Sequence, residues 1–435
     1  MMNENSNSLT RDLVRYIRAK AISQNDLDAA ALFTLDAVAN ALAGRRTEPG
    51  EKLLALMGKL NCSGDAGRMA LLQGGLTHIL EMDDLHRASV VHPGCVVVPA
   101  AFALAPETGV GGIGFLSAVL QGFEATCRVG MAVGQEHYRI WHSTATCGPF
   151  GSAMAAACLL DLDEESCVNA LGNGGTQAAG LWQFLDTGAM SKHLHAGRAA
   201  EAGVIAAQLA GLGFSGPPQI LEGERGLFAG ACPDANPAAL LKNPKQRWQL
   251  HETSIKPWPC CRHTHPAIDA ALELSALIDP ALIDSITVET YQAALDVCDR
   301  PGPDSVYEAK FSLQHCVAAA LTLGRVDFEV FEQSVRAELA ACGGRISLSA
   351  AEPYLSAYPK DWGAAVSVIM RDGKEVTACR NHCKGDPEDG LSVEEMREKA
   401  RMLLEVGGIL EPEHLIEGIL AMVDGGAPPV LPIIS

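Results

Sequence analysis

The residues best suited to chemistry in this sequence lie in short segments where ionisable side chains stand next to glycine or proline. These segments are 78–86, 91–94, 141–148, 191–198, 255–265 and 310–315. Lysine and arginine can hold carboxylates, and histidine or aspartate can move a proton at a neighbouring carbon. Each segment alone has an ordinary structural explanation, such as a capping turn or a solvated helix start. Together they predict a pocket between two domains that binds a small carboxylate and transfers a proton.

The two earliest segments offer candidate proton-transfer groups. Glu81 and Asp84 are three residues apart and would share a face at a helix end. His92 should lie on a turn, because the residue before Pro93 is pushed out of the helical conformation. His142 precedes hydroxyl residues that can cap a helix, and a ligand carboxylate could bind at such a helix start.

The two most basic segments offer candidate cations. Lys192 belongs to a stretch with four basic-type side chains in seven positions, just ahead of the small-residue run 199–212. A lysine at the edge of a buried helix must find a partner or lose its proton. Lys256 and Arg262 belong to a second basic stretch at the inferred domain boundary, where ligand sites are common. We predict that these cations hold substrate carboxylates.

The composition excludes several classes of protein. The 435 residues include 33 Lys and Arg against 52 Asp and Glu, which gives a net charge of −19. This balance argues against binding to nucleic acid or to anionic membranes, because both attract clustered lysine and arginine. The sequence contains no Walker-type motif, no dinucleotide-binding glycine motif after a strand and no GxSxG elbow, so no nucleotide cofactor is indicated.

The apolar stretches and the cysteines predict a cytoplasmic protein. The first eight residues lack the basic and apolar regions of a secretory signal. The apolar stretches 95–105, 109–123 and 148–160 are shorter than the roughly 18–20 residues that cross a bilayer. None of the 14 cysteines forms a CxxC pair, which favours buried thiols in a reducing compartment over a metal site. We therefore predict no membrane contact and no metal.

The hydrophobic pattern divides the chain into helical and mixed regions. Helical spacing or small-residue runs occur at 9–17, 27–42, 129–134, 148–160, 199–212, 391–404 and 412–422. Between them, alternating runs predict strands at 286–291, 364–370 and 375–380, the last two joined by an Asp372-Gly373 hairpin turn. Helices are also predicted at 266–277, 311–323 and 330–342. The predicted fold is mainly α: an all-helical domain from both chain ends (1–252 plus 391–435) with an inserted α+β domain (253–390).

The motifs, in their order along the chain, resemble those of the MmgE/PrpD family, which includes 2-methylcitrate dehydratase, cis-aconitate decarboxylase and iminodisuccinate epimerase. The matching stretches are HxxEMDD at 78–84, VHPG at 91–94, Trp141-His142 with Thr144 and Gly148, KHLHAGRAA at 192–200, KPWPC at 256–260, KFS at 310–312 and CKGDP at 383–387. The resemblance implies the same two-domain division, with the inserted α+β domain (253–390) as a lid domain, a homodimer, and chemistry on small di- and tricarboxylates without a cofactor.

The resemblance also implies which residues form the site. By motif position and residue type, the catalytic candidates are His92, His142, Lys192 and Asp84. The substrate-binding candidates are Lys256, Arg262, His265, Glu81, His315 and Cys261. Glu81 stands where many members carry aspartate, so its side chain reaches further.

The expected activity is that of a cofactor-independent lyase, similar to 2-methylcitrate dehydratase. It would remove a proton α to a carboxylate of a small hydroxy di- or tricarboxylate, and then eliminate water. His142 or His92 would take the proton, and Asp84 with a histidine would protonate the leaving hydroxyl. The carboxylates would be bound by Lys192, Lys256 and Arg262.

Other functions stay open on the sequence alone. An epimerase or isomerase that uses the same pocket is the main alternative. Decarboxylation of cis-aconitate is less favoured, because members with that activity carry Thr, Tyr and His where this sequence has Leu85, His315 and Cys261. A non-catalytic carboxylate-binding protein or a metalloprotein is a further alternative. The metal ligands would then be Cys260, Cys261, His263 and His265.

Overall fold

The computed structural model describes residues 8–60, 64–242 and 247–434, so the prediction about a signal segment falls almost wholly outside the described residues. The chain forms two compact units. The helical unit comprises the residues up to Thr253 and those from Ser392, and the inserted unit is Ser254–Leu391. The predicted boundaries, after residue 252 and before residue 391, differ from these by one residue each.

Helices make up most of the fold, which is mainly α as predicted. The helices of the described residues are α1 (Leu9–Arg18), α2 (Gln24–Gly44), α3 (Glu48–Leu60), α4 (Ala66–Thr77), α5 (Gly94–Thr108), α6 (Gly112–Ala132), α7 (Gln135–Ile140), α8 (Ser143–Leu159), α9 (Glu164–Gly175), α10 (Ser191–Gly211), α11 (Leu227–Ala231), α12 (His265–Ser275), α13 (Gln292–Cys298), α14 (Val306–Ala309), α15 (Leu313–Leu323), α16 (Gln333–Gly343), α17 (Tyr354–Ala357), α18 (Val393–Val406) and α19 (Pro412–Leu420). The strands are β1 (Leu85–His86), β2 (Thr253–Ser254), β3 (Ile283–Thr290), β4 (Ile346–Ala350), β5 (Ala364–Met370) and β6 (Glu375–Arg380).

The core of the helical unit is built on small residues, because its central helices approach closely. A Cβ atom at Gly151 of α8 would lie 1.6 Å from the Thr126 hydroxyl oxygen of α6. A Cβ atom at Gly203 of α10 would lie 2.3 Å from the backbone nitrogen of Ala153. The prediction that the small-residue runs form buried helices is therefore confirmed, and any larger side chain at these positions would push the helices apart.

Helix α2 corrects the prediction that no apolar stretch is long enough to cross a membrane. By length and composition its 21 residues could span a bilayer, and 83% of its most apolar window is buried inside the protein. The sequence does not show α2 as one long apolar stretch, because Asp26, Asp28 and Asp36 interrupt it. The burial of α2 is that of a core helix packed between α4, α6 and α18.

Two helix boundaries matter for the site. Helix α18 begins as predicted, because Ser392 caps it and Glu395 returns the hydrogen bond to the Ser392 backbone. Helix α4 ends at Thr77, so the expected helical face that Glu81 and Asp84 would share is wrong. Glu81 has φ of +59°, a left-handed conformation that ends any helix and is costly for a residue other than glycine.

The inserted unit contains a four-stranded sheet with the order β4-β3-β5-β6. Strands β3 and β5 are antiparallel, and Val288 lies opposite Val366. The predicted hairpin between β5 and β6 is confirmed, with Gly373 at φ of +84° in the turn. Strand β4 runs parallel to β3 at the sheet edge. The sequence pattern did not predict this strand, because it has only five residues and most of them are half-buried. Helices α12 and α15 pack together beside the sheet and complete the core.

The buried His86 of the helical unit makes stability depend on pH. Its Nδ1 lies 2.8 Å from the Ser89 hydroxyl and its Nε2 lies 3.0 Å from Gln249 Oε1. Burial lowers the pKa of His86 from 6.5 to about 4. In the unfolded chain His86 binds a proton below about pH 6.5, whereas in the folded protein it stays neutral down to about pH 4. The free energy of unfolding therefore falls as the pH falls from 6.5 to 4.

We expect this one residue to remove up to roughly 3 kcal/mol of stability between pH 6.5 and pH 4. Urea unfolding at pH 7.5, 6.5, 5.5 and 4.5 measures the loss. The variant His86→Gln should show a shallower decline than the wild type over the same range. Parallel profiles for the two proteins would contradict this assignment.

Candidate active site

A loop between α4 and α5 carries the acidic motif of the helical unit. Both carboxylate oxygens of Asp84 accept a hydrogen bond from the Gly94 backbone N–H, at 3.0 Å each. A Cβ atom at Gly94 would come within 2.9 Å of the same carboxylate, so a larger residue there would displace Asp84. Asp84 thus holds the first residue of α5. The role that we predicted for Asp84 was a different one, to protonate the leaving hydroxyl together with a histidine. The geometry makes Asp84 an anchor for the loop.

Asp83 connects two histidines of the same loop. Its Oδ2 lies 2.6 Å from His78 Nδ1 and 3.3 Å from His92 Nδ1. Asp83 and His78 are buried, and His92 is 13% exposed at its side chain. The 2.6 Å contact is a hydrogen bond, and it favours the His78 tautomer with hydrogen on Nδ1, whereas the 3.3 Å approach of His92 Nδ1 is an electrostatic contact with the same carboxylate oxygen. The His92 backbone N–H donates to the Thr144 hydroxyl at 3.1 Å, which fixes the position of His92 before Pro93.

His142 lies at the start of α8, against the same histidines. Its ring stacks on that of His78 with centroids 5.6 Å apart, and its Nδ1 lies 3.3 Å from His195 Nδ1. Trp182 covers another side of the ring, at 4.6 Å between centroids. Burial, reinforced by the positive potential of His78 and Lys192, holds the pKa of His142 well below its ordinary value of 6.5. His142 is therefore neutral at pH 7 and can accept a proton.

The hydroxyl residues after His142 do not cap α8, which corrects the predicted capping turn. The helix begins without a side-chain cap. The Thr144 hydroxyl accepts from His92, and the Thr146 hydroxyl lies 2.8 Å from Nε2 of His137. These hydroxyls therefore contact neighbouring histidines, and the binding of a ligand carboxylate at this helix start stays a prediction.

Lys192 forms a buried ion pair with Glu81. Lys192 lies in the first turn of α10, which begins at Ser191, eight residues before the predicted start of the small-residue helix. The ammonium contacts Glu81 Oε1, and the side chains are 6% and 4% exposed. The alternative of a solvated helix start is therefore wrong for Lys192, and the expectation that it must find a partner is met by Glu81.

Three residues of this cluster were absent from the predicted site: His78, Asp83 and His195. His195 stands three residues after Lys192, so both lie on one face of α10. Burial and the nearby His78 lower its pKa to about 4. The i, i+3 spacing in the basic segment and the acidic pair Asp83-Asp84 were the available signals. Sequence reasoning passed over them because a loop can present only one of two adjacent side chains to a pocket, and the sequence does not say which.

The group His78, Asp83 and His92 has the donor chemistry of a metal site, with ligand atoms within 4.8 Å of one another. Its distances favour hydrogen bonding. Two ligands about 2.1 Å from one tetrahedral zinc ion would lie roughly 3.4 Å apart, whereas His78 Nδ1 and Asp83 Oδ2 are 2.6 Å apart. We therefore assign this group as a carboxylate that is hydrogen-bonded to His78 and faces His92, and that the site uses no metal stays a prediction.

In the inserted unit, Arg262 is committed to Asp386. Its Nη2 lies 2.5 Å from Asp386 Oδ1, and the same carboxylate accepts from the Ser254 hydroxyl at 2.6 Å. Both side chains of the ion pair are almost fully buried. The predicted role of Arg262 as a cation for substrate carboxylates is therefore corrected, since Asp386 neutralises its charge. The buried Nη1 of Arg262 has no hydrogen-bond partner among the described residues.

Lys256 and His265 lie buried in the same unit. The Nε2 of His265 lies 3.3 Å from the Cys260 carbonyl oxygen, and its Nδ1 has no hydrogen-bond partner among the described residues. Burial, with the charges of Arg262 and Lys256 nearby, holds the pKa of His265 well below its ordinary value. His265 is therefore neutral and close to a buried ammonium group.

The structure gives Cys261 and His315 core positions. Cys261 is buried, and its backbone N–H donates to the Lys310 carbonyl at 2.8 Å. The Nε2 of His315 lies 2.9 Å from the Val330 carbonyl, and its ring packs against Phe331. These contacts explain both residues as parts of the inserted unit's core and do not support the predicted substrate contacts.

The four residues of the metalloprotein alternative have separate partners. The Sγ of Cys260 lies 3.2 Å from the Thr264 hydroxyl, and Nδ1 of His263 lies 2.7 Å from the Tyr291 hydroxyl. The His263 ring also stacks on Trp362. They do not form a metal-ligating group among the described residues.

The predicted site residues thus fall into two sets. Glu81, His92, His142 and Lys192 form one buried cluster of the helical unit, with Asp84 at the base of the loop. The predicted residues of the inserted unit are Lys256, Cys261, Arg262, His265 and His315. That the two sets contribute to one pocket stays a prediction.

The fold and the histidine cluster define a class of protein. The model of the MmgE/PrpD N-terminal domain matches residues 11–239, and that of the MmgE/PrpD C-terminal domain matches residues 258–419. The chain belongs to the MmgE/PrpD family, as its motifs predicted.

Its relatives include named enzymes. Human cis-aconitate decarboxylase is 27% identical over 349 residues, which are 76% of this chain and 71% of the relative. Cis-aconitate decarboxylase of Aspergillus terreus is 29% identical over 274 residues, 57% of this chain and 56% of the relative. A cis-aconitate decarboxylase-like protein of Aspergillus oryzae is 31% identical over 221 residues, 47% of this chain and 46% of the relative. The matches thus span about half the length of the fungal relatives.

Proposed function

We propose that this protein is a cofactor-independent lyase that acts on a small hydroxy di- or tricarboxylate. It removes a proton α to a carboxylate and eliminates water. The observation that carries the proposal is the buried cluster in which neutral His142 stands against the Asp83–His92 pair and the Lys192–Glu81 pair. Such a cluster combines a proton acceptor, an oriented second imidazole and a cation in one water-poor place.

The cluster supports a complete proton account. Neutral His142 takes the α-proton, and the negative charge spreads onto the adjacent carboxylate, where the Lys192 ammonium stabilises it. His92, protonated at Nε2 and held by Asp83, gives a proton to the hydroxyl as its C–O bond breaks. The products are an alkene acid and water, and one proton passes from His142 to His92 through solvent before the next turnover. Lys256 is the proposed cation for a second carboxylate.

Decarboxylation is the second candidate, and the named relatives favour it. Loss of CO₂ also leaves negative charge that a carboxylate and Lys192 can share, and a protonated histidine would then deliver a proton to carbon. Leu85, directly after the acidic pair of the loop, distinguishes this chain from the family members with that activity, so we place dehydration first. Homodimer assembly and a cytoplasmic location stay predictions.

An NMR screen in D₂O tests the proposal. The acids are 2-methylcitrate, citrate, cis-aconitate, tartrate-like acids and aspartate-derived diacids. We expect alkene signals from at least one hydroxy acid in the wild type and none in His142→Ala, because that variant lacks the proton acceptor. Release of CO₂ from cis-aconitate would make decarboxylation the function, and deuterium uptake without loss of water would make the protein an epimerase. If none of these acids reacts or exchanges, the proposal is wrong.

A further inference from the structure

A lysine of the C-terminal helix α18 reaches the loop that carries the acidic motif. Lys399 Nζ donates a hydrogen bond to the Met82 carbonyl oxygen at 2.8 Å. It also pairs with Asp36 Oδ1 of α2 at 2.5 Å. Asn40 Nδ2 lies 3.3 Å from the same Asp36 oxygen and 3.4 Å from the Met82 carbonyl. The four residues are buried, so water does not compete for these contacts.

The position of the bond along the chain gives it a role in the site. The Met82 carbonyl lies between Glu81, the partner of Lys192, and Asp83, the partner of His78 and His92. Glu81 has φ of +59°, a conformation that persists only where surrounding contacts enforce it. A donor at the Met82 carbonyl therefore fixes the peptide that aims both carboxylates.

We propose that Lys399 is a positioning residue for the active site. Through the Met82 carbonyl it holds Glu81 against Lys192 and Asp83 against the two histidines. The proposal rests on the proposed function for its effect on turnover. Lys399 is separated from the loop by more than 300 positions in sequence, and none of the predicted site motifs includes it.

A matched pair of variants separates positioning from support of the fold. Lys399→Met removes the ion pair and the shorter of the two donors to the Met82 carbonyl, and leaves the 3.4 Å contact from Asn40 Nδ2. Asp36→Asn removes the same ion pair but leaves the lysine amine able to donate to Met82. Both variants should have a lower Tm than the wild type, because each leaves one charge of a buried pair without its partner.

The effects on the site should differ. In Lys399→Met, we expect kcat to fall by about 100-fold with KM changed less than about threefold, since a shift of about 1 Å in a catalytic group has that effect. In Asp36→Asn, kcat should stay within about threefold of the wild type, because the lysine still donates to the Met82 carbonyl and the catalytic groups are not displaced. Assays are run well below the lower of the two Tm values, so that both variants are folded during the measurement. Equal losses of kcat in the two variants would show that the pair only supports the fold and would overturn the proposal.

A second readout needs no substrate. The His78 Nδ1 proton, hydrogen-bonded to Asp83, should give a low-field ¹H signal that disappears in Asp83→Asn. We expect the signal to be lost or displaced in Lys399→Met and kept in Asp36→Asn. An unchanged signal in Lys399→Met would overturn the proposal. If no acid is turned over, the proposed function fails, and this comparison still decides whether Lys399 holds the loop.

Discussion

Replacing Lys192 by methionine should lower kcat/KM by about 10³-fold, because the transition state loses the cation that stabilises its developing charge. The ammonium is buried beside Glu81 and contributes to the potential that keeps His142 neutral. In a buried site, such a charge is worth more than on a surface. The measurement is steady-state kinetics on the acid identified by the NMR screen.

The single variant also leaves Glu81 buried without its cation, which should destabilise the protein by about 3–5 kcal/mol. The control is the double variant Glu81→Gln/Lys192→Met, in which both charges are absent. We expect the double variant to recover most of the lost Tm while kcat/KM stays low. Recovery of activity together with Tm would contradict a catalytic role for Lys192 and leave it a structural ion pair.

Replacing Asp83 by asparagine should lower kcat by about 10³- to 10⁴-fold with little change in KM, as expected when an orienting carboxylate behind a histidine is lost. Asp83 Oδ2 faces Nδ1 of His78 and Nδ1 of His92. An amide oxygen at the Oδ2 position is a neutral and weaker acceptor, so asparagine holds the His78 Nδ1 proton less strongly and removes the negative charge that faces His92. Kinetics and the ¹H signal of the His78 Nδ1 proton measure the change.

The matched control for this substitution is Asp163→Asn. Asp163 is exposed and caps α9 by accepting from the Ser166 backbone N–H, a task that asparagine performs equally well. We expect its kcat to equal that of the wild type. If Asp83→Asn keeps more than a tenth of the wild-type kcat, the assignment of Asp83 as the residue that orients His92 is wrong.

Much of the scaffold could be predicted because it depends on local pattern. Strands β5 and β6 occupy the predicted residues, since alternating β-branched residues around an Asp-Gly turn leave little other choice. The start of α18 could be predicted from Ser392 and the glutamates that follow it. Strand β4 could not, because an edge strand of five half-buried residues has too weak a pattern.

The roles of the ionisable residues were predicted less well than their presence. Lys192 and His142 lie in the histidine cluster, but Asp84 anchors α5 and Arg262 is neutralised by Asp386. The sequence shows an arginine at position 262 but does not show whether its partner is a substrate or a carboxylate 124 residues away. Pairing depends on distances that the order of residues does not contain.

The sequence by itself determined the class of the protein, the mainly α scaffold and the short segments that could do chemistry. It could do so because helical spacing, turn residues and motif order are local properties of the chain. Only the tertiary structure decided that Asp83 faces the histidines while its neighbour Asp84 holds α5, and that Lys399 supports the loop. These assignments depend on which side chains meet in a buried space, and burial determines which charges are paired, which imidazoles stay neutral and which groups are left to react.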